Sequence, residues 1–414
     1  MLDEFYKDPA IIQDMRTGPL GSHLDSFSGL LSGDGYARYT IRIKLGLLRD
    51  LSCWLAENGL GIVNLDDAVM NQFLKECRKR RPLRNGELQT ADRFLDHLRT
   101  EGVIPHPESC GNLSPLETLL RQYEVHLRED CGFSPGTITG YCNYSRTFIE
   151  EQFGDGPINL GDLSAGDVSG FVLRHAHRLG AWGTRSICTA LRSFFRFLFQ
   201  EGRTTDLTVT VPTVPKWQLA EVPKYLESEQ IEQIIQVCDQ GTPVGRRDRA
   251  IILLMARLGL RAAEVVALEL GDINWRAGEL TVRGKGGTRD RLPLPQDVGE
   301  ALVIYLCQDR PDCRSCRVFI RMRAPFRGLS RSCTVGSIVS RTLNKTGLDP
   351  PFKGTHLFRH SLATAMLRQG APLAEVSQIL RHRLVSTTEI YAKVDTKGLR
   401  SLVRPWPIVE ETDE

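Results

Sequence analysis

The chain has 414 residues, 41% of them hydrophobic and 25% charged, with a formal net charge of +3. At roughly 150 residues per domain it is too long for one core, and no apolar run approaches the ~20 residues of a membrane helix. The polar start "MLDEFYKDPA" lacks the apolar stretch of a signal peptide, and eleven cysteines without a disulfide framework fit a reducing cytoplasm. Secreted and membrane-spanning classes are set aside.

Residues 1–35, rich in Gly, Ser and Asp and weakly periodic, read as a flexible N-terminal segment. Helical spacing follows in "RIKLGLLRDLSCWLAENGLG", "DAVMNQFLKEC" and "TADRFLDHLRTEGVIP", which place a helical domain over residues 36–105. "HPESCGNLSP" is a linker, and a second helical set occupies 114–205. "RFLDHLRTEG" and "SFFRFLFQEG" align at an offset of one hundred, which suggests a duplicated small helical domain. Phe194, Phe195, Phe197 and Phe199 are expected in its core. The three prolines of Thr208–Leu226 predict an extended linker over 206–226. A third domain spans 227–404: helices, then short β-prone runs around Ala277-Gly278 and Lys285-Gly286-Gly287, then helices again, with a tail over 405–414. The fold class is therefore mainly α with a small antiparallel β-sheet.

Charge is unevenly spread. Eight Lys and Arg and no acidic residue lie between Arg314 and Lys345, and "KECRKRRPLR" forms a second basic run. A solvated face is the ordinary meaning of such runs, but this imbalance suits a polyanion partner and marks Lys79, Arg80, Arg81, Arg321, Arg323 and Arg327 as candidate DNA contacts. The "CRSC" pair Cys313 and Cys316, with Cys307 and Cys333 as further ligands, lacks the second C-x-x-C of a structural zinc site, so no metal is expected.

The third domain also holds an ordered set of polar residues. Arg261 follows "RLGL", Lys285 sits in "RGKGGTRDR", and His356 and Arg359 open the otherwise apolar "HLFRHSLATAML". His382 stands in "ILRH" and Tyr391 nine residues later. Each also suits a plainer place: Arg261 a helix contact with Glu264, Lys285 a solubilising turn, His382 a helix end, Tyr391 a half-buried core position. A P-loop is excluded by glycine spacing and by the absence of Ser or Thr after Lys285.

In order and context, "GLRAAE", "RGKGGTRDRLPLP", "HLFRH", "LRH" and "TTEIYA" together resemble the tyrosine recombinase, or phage integrase, family. Arg381 departs from it, standing where the family usually has Gly. The resemblance implies helical N-terminal DNA-binding domains, with residues 114–205 as a SAM-like core-binding domain, and a catalytic domain at 227–404; residues 36–105 are extra to the minimal plan. The implied catalytic residues are Arg261, Lys285, His356, Arg359, His382 and Tyr391. Two arginine forks clamp the phosphate, Tyr391 attacks with His356 as base, His382 hydrogen-bonds the phosphate, and Lys285 protonates the departing 5′ oxygen.

The implied activity is site-specific recombination through a 3′-phosphotyrosyl intermediate, by the integrase or transposase of a mobile element, with no cofactor. Implied partners are double-stranded DNA carrying specific sites, a homotetramer on two duplexes, and helper recombinases or DNA-bending proteins, with no membrane. Trp406 and Ile408 in the tail suit docking on a neighbouring protomer. Rival readings are a type IB topoisomerase, a catalytically idle DNA-binding partner and, weakest, a metal-dependent nuclease.

Overall fold

The computed structural model describes residues 2–106, 114–154, 156–215, 223–284, 288–350, 353–382, 384 and 387–394. The chain divides into two compact units, one formed by Met1–Pro105 with Gln218–Glu414, the other by His106–Trp217. Among the described residues no helix is long and apolar enough to cross a membrane.

The first unit begins with six helices: α1 (Leu2–Phe5), α2 (Pro9–Thr17), α3 (Gly21–Gly33), α4 (Arg38–Glu57), α5 (Asp67–Arg80) and α6 (Glu87–Thr100). The expectation of a flexible segment over 1–35 is corrected here. Leu2, Met15, Leu20, Leu24, Phe27 and Leu31 are all at most 1% exposed and complete one core with α4, α5 and α6. The apolar residues are sparse but all fall on one side of short helices, and Asp8 caps α2 with a 2.9 Å bond from Ala10 N–H. Composition alone hid this pattern.

The second unit holds α7 (Pro115–Glu129), α8 (Pro135–Phe153) and α9 (Ala165–Gln200), the last broken at Gly180 by non-helical backbone. Phe194, Phe195 and Phe197 lie in its core, whereas Phe199 is 51% exposed. The stretches α6 to Val103 and α9 to Arg203 end in the same hydrogen bonds: Val103 N–H to Leu98 O and Arg203 N–H to Leu198 O, both 2.9 Å, over Gly102 and Gly202 at positive φ. The expected linker starts late, since Leu207 and Val211 are buried in this unit and Arg192 donates to Val211 O and Pro212 O.

The rest of the first unit comprises α10 (Ser228–Gln236), α11 (Pro243–Leu258), α12 (Ala262–Ala267), β1 (Ile273–Asn274), β2 (Glu279–Arg283), β3 (Arg289–Pro293), α13 (Gln296–Ile304), α14 (Ser332–Thr346), α15 (His356–Arg368) and α16 (Leu373–Ile379). The strands form one antiparallel sheet, β1-β2-β3, with Leu280 opposite Leu292. Helix α11 runs through the core, with Ile251, Ile252, Leu253, Leu254 and Met255 buried on all sides. Thr242 caps it by accepting from Gly245 N–H at 3.2 Å, Pro243 takes the first helical position, and Gly259 ends it at φ +58.

The N-terminal helices meet this domain at the loop around Phe326. Phe326 N–H donates to Asp34 O at 2.8 Å, and its ring lies so close to Gly35 that a Cβ there would sit 2.1 Å away. Gly35 also has φ +79, so only glycine suits the position.

Candidate active site

The end of α11 sets the first functional group. After the Gly259 turn, Arg261 enters α12 as its cap residue; its N–H donates to Glu264 Oε2 at 2.9 Å and its Nη1 to Glu264 Oε1 at 2.7 Å. The plainer pairing is therefore present, yet the Arg261 side chain remains 36% exposed. It faces a cleft of about 570 Å³ lined by Glu264, Gly284, Thr288, Arg381 and His382 as well. Lys285 lies outside the described residues, but Gly284 and Thr288, which flank it in the chain, both line this cleft.

Helix α15 supplies the second cation. Arg359 is 3% exposed and donates to Gly259 O at 2.7 Å and to Leu380 O. The cap of α11 thus also anchors this arginine. Burial, then the neighbouring Arg261 and Arg381 charges, bring its pKa down to about 10. A buried guanidinium lowered by neighbouring cations is relieved by an incoming anion. Arg359 and His356 differ in exposure, because His356 sits open at the helix start. Its pKa is lowered by desolvation and by Arg359 and Arg261, which favours neutral imidazole.

The nucleophile candidate is inside. Tyr391, on a 3₁₀ turn over Glu389–Val394, is 1% exposed among Ala363, Leu367, Val376 and Leu380. Burial pushes its pKa up to about 12 against the opposing pull of Arg359 and Arg261. Its hydroxyl lies 2.8 Å from His360 Nδ1, donating to it in the tautomer that protonates Nε2. His360 has its pKa pushed down to about 4 by burial, His356 and Arg359, so it is neutral at pH 7 and able to accept. His382 stacks on Tyr391 with the rings 6.4 Å apart and 4° from parallel, and its Nδ1 meets Thr388 Oγ1 at 2.8 Å. Burial and then Arg359 and Arg261 bring its pKa to about 4 as well. His360 was absent from the sequence-derived set. Its signal was the i, i+4 spacing from His356, which puts both imidazoles on one face.

Arg381 fills the position that departs from the resemblance. It is the single non-glycine residue at positive φ among those described, at +53, a geometry costing a side chain about 1–2 kcal/mol. Its Nη2 donates to Glu264 Oε2 at 2.8 Å.

The candidate DNA contacts are scattered. Lys79 and Arg80 are exposed at the end of α5, while Arg81 is held by Glu87 at 2.7 and 3.0 Å. Arg323 and Arg327 are exposed, and Arg321 and Arg327 lie near Tyr36 at the seam with the N-terminal helices, where their charges act on its phenol. A basic groove of about 760 Å³ along α14, lined by Ser337, Arg341, Asn344, Lys345 and Lys353, was only partly visible in the sequence. Among the described residues no group of three or more His, Cys, Asp or Glu is placed to hold a metal ion.

Residues 224–397 match the model of the phage integrase family. The y4rA protein of Sinorhizobium fredii is 42% identical over 392 residues, covering 94% of this chain and 95% of that protein. Tyrosine recombinase XerD of Listeria monocytogenes is 29% identical over 70% of this chain and 98% of its own length. Among solved structures, the XerH site-specific recombinase bound to its palindromic difH substrate shares the fold, with a TM-score of 0.54 at 18% identity over 70% of this chain and 97% of that one. With that likeness along nearly its whole length, the chain belongs to the phage integrase family of tyrosine recombinases and is a site-specific DNA recombinase.

Proposed function

We propose that this recombinase cleaves and rejoins DNA through Tyr391. The observation that carries the reading is one connected cluster: Arg261 and His382 line the cleft, His382 stacks on the buried Tyr391, the buried Arg359 lies close enough for its charge to act on both, and a neutral His360 meets the tyrosine hydroxyl. The Tyr391 oxygen attacks the scissile phosphorus, its proton passes to His360, and the bond from phosphorus to the 5′ oxygen breaks. The 5′ oxygen takes a proton from Lys285, which leaves a 3′-phosphotyrosyl link and a free 5′ hydroxyl. Attack of a 5′ hydroxyl from another strand reverses each transfer. Arg261 and Arg359 donate to the non-bridging oxygens, whose charge grows in the transition state. His360 takes the base role that the resemblance gave to His356, because it is the imidazole in contact with Tyr391.

A phenol only 1% exposed does not reach a duplex in this arrangement, so its proton passes to His360 as the 387–394 turn opens toward the DNA. XerD, named a tyrosine recombinase, and XerH, named a site-specific recombinase bound to its difH substrate, support a reaction at specific DNA sites. On that basis we place the chain as the integrase or transposase of a mobile element, acting in the cytoplasm on the nucleoid as a homotetramer across two duplexes, with helper recombinases or DNA-bending proteins. Residues 114–205 serve as the core-binding domain and 227–404 as the catalytic domain.

Nicked suicide duplexes from the ends of the native genetic locus test the reading. Wild type is expected to form a denaturation-resistant complex mapped to Tyr391, and Tyr391→Phe none while still binding DNA. A complex formed equally by Tyr391→Phe overturns it.

A further inference from the structure

We propose that Arg381 is a positioning residue for the phosphate clamp: it holds the Glu264 carboxylate so that Arg261 is free to leave that carboxylate for the scissile phosphate. The inference rests on the recombinase reading above and concerns a residue which that reading does not use.

The geometry of the three side chains carries it. Glu264 is 5% exposed and accepts from three N–H groups: Arg261 N and Arg381 Nη2 at Oε2, and Arg261 Nη1 at Oε1. The two guanidiniums differ in access. Arg381 is 6% exposed and also donates to Ile379 O at 3.3 Å, whereas Arg261 is 36% exposed on the cleft. Arg261 can therefore turn to an arriving anion and Arg381 cannot.

Without a second cation, that turn would leave a buried carboxylate unpaired beside a phosphate. It would be penalised twice, by desolvation and by like-charge repulsion. With Arg381 in place, Glu264 keeps a charge-assisted hydrogen bond throughout and Arg261 carries its full charge to the substrate. The left-handed backbone at Arg381 fits this account: from φ +53 its side chain reaches Glu264 on α12, a contact that glycine could not make.

The test uses Arg381→Gly, Glu264→Gln and the double variant in the full chain. Glycine suits φ +53, so Arg381→Gly is expected to fold, and a melting curve checks this. The readouts are the single-turnover rate of covalent complex formation on the nicked duplexes and the salt dependence of binding to them. Arg381→Gly is expected to slow cleavage at saturating DNA by tenfold or more and to flatten the salt slope by about one unit, the same change expected of Arg261→Gln. The double variant is expected to recover most of both losses, because a neutral amide no longer detains Arg261. An unchanged rate and slope in Arg381→Gly, or a double variant no better than the single, overturns the proposal. If Tyr391→Phe forms the complex as well as wild type, or wild type forms none, the recombinase reading fails and takes this inference with it.

Discussion

At the scale of single residues, burial keeps two imidazoles of the candidate site neutral at pH 7. His360 and His382 move from 6.5 to about 4, so between those values the unfolded chain binds protons that the folded chain refuses. Stability is therefore fully present above pH ~6.5 and falls as the pH drops toward ~4, by on the order of 2 kcal/mol per histidine. Urea melts at pH 7.5 and 5.0 should show the loss, and His360→Asn should reduce it. A pH-independent midpoint would contradict the burial assigned to these rings. Arg381 illustrates the limits of reading residues one at a time. Its departure from the family's usual glycine was visible in the sequence, but its partner is 117 residues away in the chain.

At the scale of elements, helix ends place the chemistry. Gly259 closes α11, and its carbonyl anchors Arg359. Gly259→Ala would strain a residue at φ +58 and bring a Cβ to 3.0 Å from Leu380 and 3.1 Å from Leu362. A loss of about 1–2 kcal/mol is expected, with cleavage on suicide duplexes reduced more than binding, because Arg359 shifts with the turn. Helix α14 presents the basic groove, in which Arg341 is partly committed to Asp248 at 2.7 Å. Lys345→Ala should weaken binding to all duplexes alike and lower the salt slope by about 0.9, as the loss of one phosphate contact does. A change confined to one DNA sequence would instead make Lys345 a base reader.

At the scale of the whole molecule, the core of residues 2–104 is formed by its own helices, and the core around α11 contains no residue before Leu226. Residues 1–105 expressed alone are therefore expected to melt cooperatively with a helical circular dichroism spectrum; a broad, non-cooperative transition would show that they need the core around α11. The seam at Phe326 is small beside these cores. With Lys79 and Arg80 exposed at the end of α5, removing the domain should reduce affinity for a long DNA site while sparing cleavage of a short one. Gel-shift titrations on the two lengths distinguish the effects.

Local rules in the sequence determined the helices and the hairpin, and with them the fold class. Apolar spacing, Thr and Pro at helix starts, Gly at helix ends and β-prone runs around glycine turns all act within a few residues of chain. The order Arg261, Lys285, His356, Arg359, His382 and Tyr391 was legible too, because a family's chemistry leaves its residue types in fixed contexts. Tertiary structure decided what depends on residues far apart in the chain. It brought the sparse apolar positions of 2–33 into a core and His360 against Tyr391. It also tied Arg381 to Glu264 and buried Tyr391. Burial and long-range ion pairs set those protonation states and partners, and neither is a property of any short stretch of sequence.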